Sequence, residues 1–168
     1  MPIYFSNTLN HNPFQFDSVG NHWTQEAVRR TQGYPQYHYL QTEEGCGILV
    51  LDNKEYLLPE GHGVLITPHI PHAYHSATES DWITCFATFG GSLEPQLSHI
   101  FGTERILFTE KEQAAEIKAA IDRSVTHFET EPHNLHQLSC DRYSLLVHFS
   151  WGFVNSNTSD LPWEKYVH

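Results

Sequence analysis

Basic side chains are scarce: nine Lys and Arg stand against twenty Asp and Glu, a formal charge of −11. A surface this acidic repels phosphate backbones, so the polypeptide by itself is a poor nucleic-acid binder. Long apolar runs are missing as well. No stretch approaches the roughly 18 residues that a membrane span needs, and the N-terminus lacks a basic-then-apolar secretory pattern. Cysteine is sparse, and Cys46, Cys85 and Cys140 form no CxxC pair. An odd count without a signal segment points to a reducing cytoplasm, where thiols serve as small core hydrophobes. No Gly-rich phosphate loop follows a strand, no GxSxG elbow occurs, and no cysteine has the flanks of a nucleophile. Nucleotide binding and serine or cysteine hydrolysis are therefore not implied.

What remains is ample for a core. The 168 residues are 39% hydrophobic and 13% aromatic, which suits one domain or one domain with a helical appendage. Residues 1–28 read as an N-terminal arm and one or two edge strands. Strand-like runs at 34–43, 46–51, 55–58, 63–67, 72–77 and 82–89 follow, punctuated by Glu44-Gly45, Asp52-Asn53-Lys54, Pro59-Glu60-Gly61, the Pro68 and Pro71 bend, and Glu79-Ser80-Asp81. Many short strands with frequent turns predict a sandwich or barrel. A short helix over 93–100 and a further strand over 105–108 complete this part.

The pattern changes at Thr109-Glu110-Lys111-Glu112, a capping box with Thr109 at the N-cap. Ala114, Ile117, Ala120, Ile121, Val125 and Phe128 then recur at helical spacing. Glu131-Pro132-His133-Asn134 breaks that helix, and Leu135, Leu138, Leu145, Leu146, Phe149 and Phe153 mark a second one. The pair predicts an antiparallel αα-hairpin. Leu135, Leu138, Arg142, Leu145, Phe149 and Gly152 form a heptad-like seam, and this seam predicts a homodimer built on the second helix.

Strand parity builds a site. His72 and Tyr74 share one face of their strand, because side chains alternate with period two. The next strand offers either Trp82, Thr84, Phe86 and Thr88 or Ile83, Cys85, Ala87 and Phe89. The second set is small and apolar and suits packing between layers. The first mixes rings with hydroxyls, as sugar recognition requires, although Trp82 reads better as core. His62 and His69 fall in turns and read as solvent-facing.

In order and spacing, Arg30, Gly33-Tyr34-Pro35, Glu44-Gly45-Cys46-Gly47, Pro59-Glu60-Gly61, the run Thr67-Pro68-His69-Ile70-Pro71-His72-Ala73-Tyr74 and the run from Trp82 to Gly91 resemble the cupin-like N-terminal domain of AraC-type transcription regulators. The resemblance implies a mainly β fold, a double-stranded β-helix (jelly-roll barrel) with an N-terminal arm over 1–108, followed by a two-helix hairpin over 109–155 that dimerises. It implies that 156–168 starts a linker to a helix-turn-helix DNA-binding unit absent from this chain. It also implies a sensor of a small molecule, often a sugar, with no catalysis and no cofactor. Aligned on Gly45, its sugar-binding arginine falls on Arg30, and parity along one strand then selects Gln32, Tyr34, Gln36, His38 and Leu40. The expected ligand contacts are Arg30, Tyr34, His38, His72, Tyr74, Thr84 and Phe86, with Phe14 or Phe16 of the arm as a lid. The competing reading of Arg30 is a surface ion pair with Glu26.

Metal-binding cupins are similar in this region too. Their ligand positions fall on Gln32, Tyr34, His38 and His72, which leaves His38 and His72 as the only imidazoles. Zn²⁺ and Fe²⁺ sites need three or more suitable protein ligands. A metal-dependent enzyme acting on a sugar or small organic acid is therefore the alternative, not the first reading.

Overall fold

Asp52 and Asn53 both take positive φ (49° and 61°) and close a two-residue hairpin in which Leu51 faces Lys54. That conformation matches the right-handed twist of the strands it joins. The hairpin joins β5 (Cys46–Leu51) and β6 (Lys54–Pro59), one half of a four-stranded sheet. The computed structural model of the chain describes residues 3–5 and 13–155, with the side chains of Phe5 and of residues 151–155 left aside. The linker expected over 156–168 lies outside the described residues, as does the side chain of Phe153.

Two antiparallel sheets form the barrel. The larger one contains β1 (Tyr4–Phe5), β2 (Gln15–Thr24), β4 (Tyr37–Glu44), β7 (Gly63–Ile66), β9 (Ile83–Gly90) and β10 (Ile106–Thr109), in the order β1-β2-β9-β4-β7-β10. The smaller contains β3 (Val28–Arg30) and β8 (His72–Ser76) beside the hairpin, in the order β3-β8-β5-β6. Helix α1 (Glu94–Phe101) precedes β10, and α2 (Lys111–Thr130) and α3 (Leu135–Asn155) follow it. Among the described residues no helix is long and apolar enough to cross a membrane.

The central strands β4 and β9 are buried on both faces, and their alternation sorts the core into two layers. Tyr37, Tyr39, Cys85, Ala87 and Phe89 face the helices and pack with Ile117, Ile121, Leu145 and Phe149. Leu40 and Phe86 face the barrel interior with Leu49, Val64, Tyr74 and Trp82. The division expected on the 82–89 strand is the observed one. Barrel and helices thus share one apolar cluster, centred where Phe149 meets Tyr39 at 5.0 Å and Phe89 at 5.2 Å between ring centroids.

Two expectations about the helices need correction. Thr109 does not cap α2: it ends β10, and Glu110 takes the N-cap position without a side-chain cap bond. The Thr109 hydroxyl lies 2.6 Å from the buried Tyr39 hydroxyl, a tertiary partner that outcompetes the local one. Most of the α3 seam also turns inward, although Leu135 stays exposed. Leu138, Arg142, Leu145 and Phe149 are buried against their own domain, with Arg142 over the Phe16 ring at 5.9 Å.

Candidate ligand-binding site

Arg30, at the end of β3, pairs with His72 on β8, and its side chain crosses to β4. There Nη1 lies 2.9 Å from His38 Nδ1. The expected alternative, an ion pair with Glu26, does not form, and Arg30 makes no ion pair with any described carboxylate. Tyr34 reaches the same spot by a different route from the one parity implied. Residues 31–36 are a turn and loop, so no strand alternation links Arg30 to His38. Instead Gly33 reverses the chain at φ +73°, and a Cβ there would sit 2.4 Å from the His69–Ile70 peptide. Only glycine fits both the conformation and the contact. Tyr34 O accepts from His69 N at 2.8 Å, which fastens this loop to the bend that delivers His72.

The result is an aromatic-walled chamber of about 270 Å³. Arg30 stacks on Tyr34 at 4.6 Å and stands 5.9 Å from the Tyr74 centroid. Phe86 and Trp23 meet edge to face at 6.1 Å on the wall. Polar groups come from Gln25 and from the Ser18–Thr88 pair, whose hydroxyl oxygens lie 2.6 Å apart. The Tyr34 hydroxyl donates to Asp17 Oδ2 at 2.8 Å, which holds the ring in place.

Of the seven expected contacts, Arg30, Tyr34, His38, Tyr74 and Phe86 line this chamber. Thr84 does not: it is fully buried, and its hydroxyl meets Gln25 Oε1 at 3.3 Å, so Gln25 takes the exposed position in front of it. His72 stands behind the wall, its ring stacked on Tyr74 at 5.8 Å, and borders a second cleft of about 510 Å³ shared with Arg30. Trp82 is core, with its indole N–H donated to Thr42 Oγ1 at 2.9 Å. The lid residues are corrected too. Phe14 and Phe16 pack on the helix side with Phe89 and Arg142, and among the described arm residues Ile3 reaches the chamber. Ser18, Trp23, Gln25 and Val28 are the members that parity missed.

The two imidazoles have fixed tautomers. A guanidinium can only donate, so His38 Nδ1 accepts and its proton sits on Nε2. His72 Nδ1 lies 2.7 Å from Ile70 O, so it donates, and Nε2 remains a buried acceptor without a hydrogen-bond partner. Burial, with Arg30 and His72 adding to it, holds His38 well below its usual pKa, and burial also lowers His72. Both rings are therefore neutral at physiological pH. A group whose folded pKa is depressed in this way leaves the unfolded chain binding more protons below pH 6.5. Stability is then full above about pH 6.5 and is lost as pH falls toward each ring's folded value, by up to ~1.4 kcal/mol per pH unit per ring. Urea midpoints between pH 7 and 5.5 should show this slope, and His38→Gln should flatten it. An unchanged slope in the variant would refute the assignment.

This donor set does not suit a metal. His38 offers Nδ1 to a cation already, both rings lie near Arg30, and no cluster of three or more His, Cys, Asp or Glu occurs among the described residues.

Comparison with known proteins agrees with the geometry. The pattern of the AraC-like ligand binding domain family matches residues 16–146. A search of curated proteins finds no sequence match. Among solved structures, an apo variant of ToxT from Vibrio cholerae superposes with a TM-score of 0.56 at 15% identity, covering 90% of this chain and 61% of that one. ToxT with an unsaturated fatty acid bound gives 0.50 at 16% identity, covering 85% and 53%. ToxT with (E)-4-(8-methylnaphthalen-1-yl)but-3-enoic acid gives 0.53 at 17%, covering 85% and 55%. At such identities the likeness concerns the fold, and the chain spans only about half to three-fifths of those proteins. The family pattern extends over well over half of the sequence and takes in nearly all of the barrel, α2 and the first half of α3: the chain belongs to the AraC-like ligand-binding domain family.

Proposed function

We propose that this chain is the effector-sensing and dimerising part of a transcription regulator, and that a small hydroxylated molecule, a sugar or sugar derivative, occupies the Arg30–His38–Tyr74–Phe86 chamber. The observation that carries this reading is the chamber's composition. Ring faces on several walls suit C–H surfaces, while Arg30, His38, Gln25, Ser18 and Thr88 supply hydrogen-bonding groups between them. Its volume of about 270 Å³ lies just below the usual range of ligand pockets, which suits a monosaccharide-sized guest better than the fatty acid bound to ToxT. DNA contact belongs to a helix-turn-helix unit outside this chain, in keeping with the acidic balance. Thermal shift against a panel of monosaccharides and their derivatives tests the reading. At least one compound should raise Tm in a dose-dependent way, and Phe86→Ala should remove the effect. Stabilisation by none of them would overturn it.

Dimerisation is assigned to the outer face of α3 in place of the inward seam. His136, Cys140, Tyr143 and Val147 follow steps of four, three and four, with Tyr143 67% and Val147 44% exposed. In a chain with twenty acidic residues, the one acid of α3, Asp141, is buried against His127 at 2.6 Å. The outer face is thus uncharged, and two copies can meet there without repulsion. Sedimentation should give a dimer that Tyr143→Glu with Val147→Glu converts to a folded monomer. A monomeric parent, or a dimer that survives both changes, would rule this face out.

A further inference from the structure

The chamber wall carries one positive charge that no wall carboxylate balances. Arg30 is the single formally charged side chain in its wall, and no described carboxylate pairs with it. Asp17, outside the lining, already accepts from Tyr34 at 2.8 Å and faces Thr88 at 3.5 Å. Tyr34 and Tyr74 cover the guanidinium faces, and only Nη1 is occupied, by His38. His38 in turn must carry its proton on Nε2. Beside the Nη1 bond to His38, then, the guanidinium and the His38 Nε2–H have no carboxylate to donate to among the described residues.

A neutral sugar hydroxyl can accept from a guanidinium but leaves its charge unbalanced. An ionised carboxylate only accepts, and a guanidinium fork matches its two oxygens. The neighbouring groups are different in kind: Thr88, the cross-strand partner of His38, and Ser18 and Gln25 offer hydroxyls and an amide that both donate and accept. From this asymmetry we infer that the effector is a small hydroxy acid of the sugar-acid type, with its carboxylate on Arg30 and His38 and its hydroxyls toward Ser18, Thr88 and Gln25. This rests on the chamber being the effector site, as proposed above, and adds the charge of the guest.

Matched pairs separate the two statements. Calorimetric titration of the whole chain with D-galacturonate and D-galactose, D-glucuronate and D-glucose, and D-gluconate and D-glucitol compares an acid with its neutral partner on one skeleton. At least one acid should bind, with its neutral partner weaker by on the order of tenfold to a hundredfold, the worth of a charge-assisted hydrogen bond. Arg30→Gln should erase the preference, whereas Arg30→Lys, which keeps the charge but loses the fork, should retain part of it. A neutral sugar binding as tightly as its acid would overturn the inference and leave the chamber reading standing, as would an acid preference that survives Arg30→Gln. Binding by none of the six compounds would count against both.

Discussion

Replacing Gly47 by alanine should cost about 3 kcal/mol, at the upper end of overpacking penalties. A Cβ at this position on β5 would lie 2.1 Å from Trp82 Cζ2 and 2.4 Å from Cε2. The indole has nowhere to retreat. It is 1% exposed, its Nε1–H is committed to Thr42 Oγ1, and that hydroxyl donates onward to Leu58 O at 2.7 Å. Its edge rests on Tyr74 at 6.0 Å, so any displacement passes into the chamber wall. In a chain of this size the melting temperature should fall by roughly 6–12 °C. Gly61→Ala supplies the contrast: nothing lies within 4 Å of its Cβ position, and only its φ of +75° opposes the change, at about 1 kcal/mol. Trp82→Phe combined with Gly47→Ala should be less damaging than the sum of the two. A Gly47→Ala protein melting within about 2 °C of the parent would mean that the interior yields more easily than its contacts indicate.

The sequence was most legible where one strand runs straight. The split of β9 into Cys85, Ala87 and Phe89 against Phe86 and Thr88 follows from period two alone, and the Asp52-Asn53 turn from its residue types. Legibility failed where the backbone departs from that period. Strand β2 slips register between Phe16 and Ser18 and again between Gly20 and Trp23, with His22 at φ 49°. Each bulge inserts a residue and moves the inward face by one position. That is why Ser18 and Trp23, five residues apart, line one chamber and neither stood out beforehand. Arg30, Tyr34 and His38 do come together, but a glycine reversal gathers them and not a shared strand face. Thr109 illustrates the complementary limit: its four-residue signature was genuine, but a buried tyrosine hydroxyl seventy residues away was the better partner. On α3 the periodicity identified an apolar stripe without saying which partner it faces, and the barrel took it.

Breaking the contact between Lys118 and Glu43 should be the other costly change. Glu43 ends β4 with its side chain only 4% exposed. Its Oε2 accepts the His22 N–H at 2.7 Å, and its Oε1 lies 3.0 Å from Lys118 Nζ on α2. Lys118 also reaches Asp122 at 2.7 Å, and Asp122 accepts from Asn21 at 2.8 Å. Burial alone would lower the ammonium's pKa, but the Asp122 and Glu43 carboxylates push it up to about 12. A raised folded pKa means the contribution is complete below the ordinary 10.5 and is lost only as pH rises through about 12, so the staple is intact at neutral pH. Lys118→Met strands a carboxylate that keeps a single backbone donor and the His22 ring. Losing one member of a buried pair costs about 3–5 kcal/mol, reduced here to about 2–3 because Lys118 is itself partly exposed. Adding Glu43→Met should restore more than half of that loss, since two apolar side chains leave no charge unpaired. A single variant as stable as the parent, or a double variant less stable than the single, would refute the argument. The bulge held by Asn21 and His22 is the one that turns Trp23 into the chamber, so α2 and the ligand site share a fixed point. Lys118→Met should therefore weaken ligand binding as well, and Lys118→Met with Glu43→Met should not recover it, because restored stability does not restore the grip on His22.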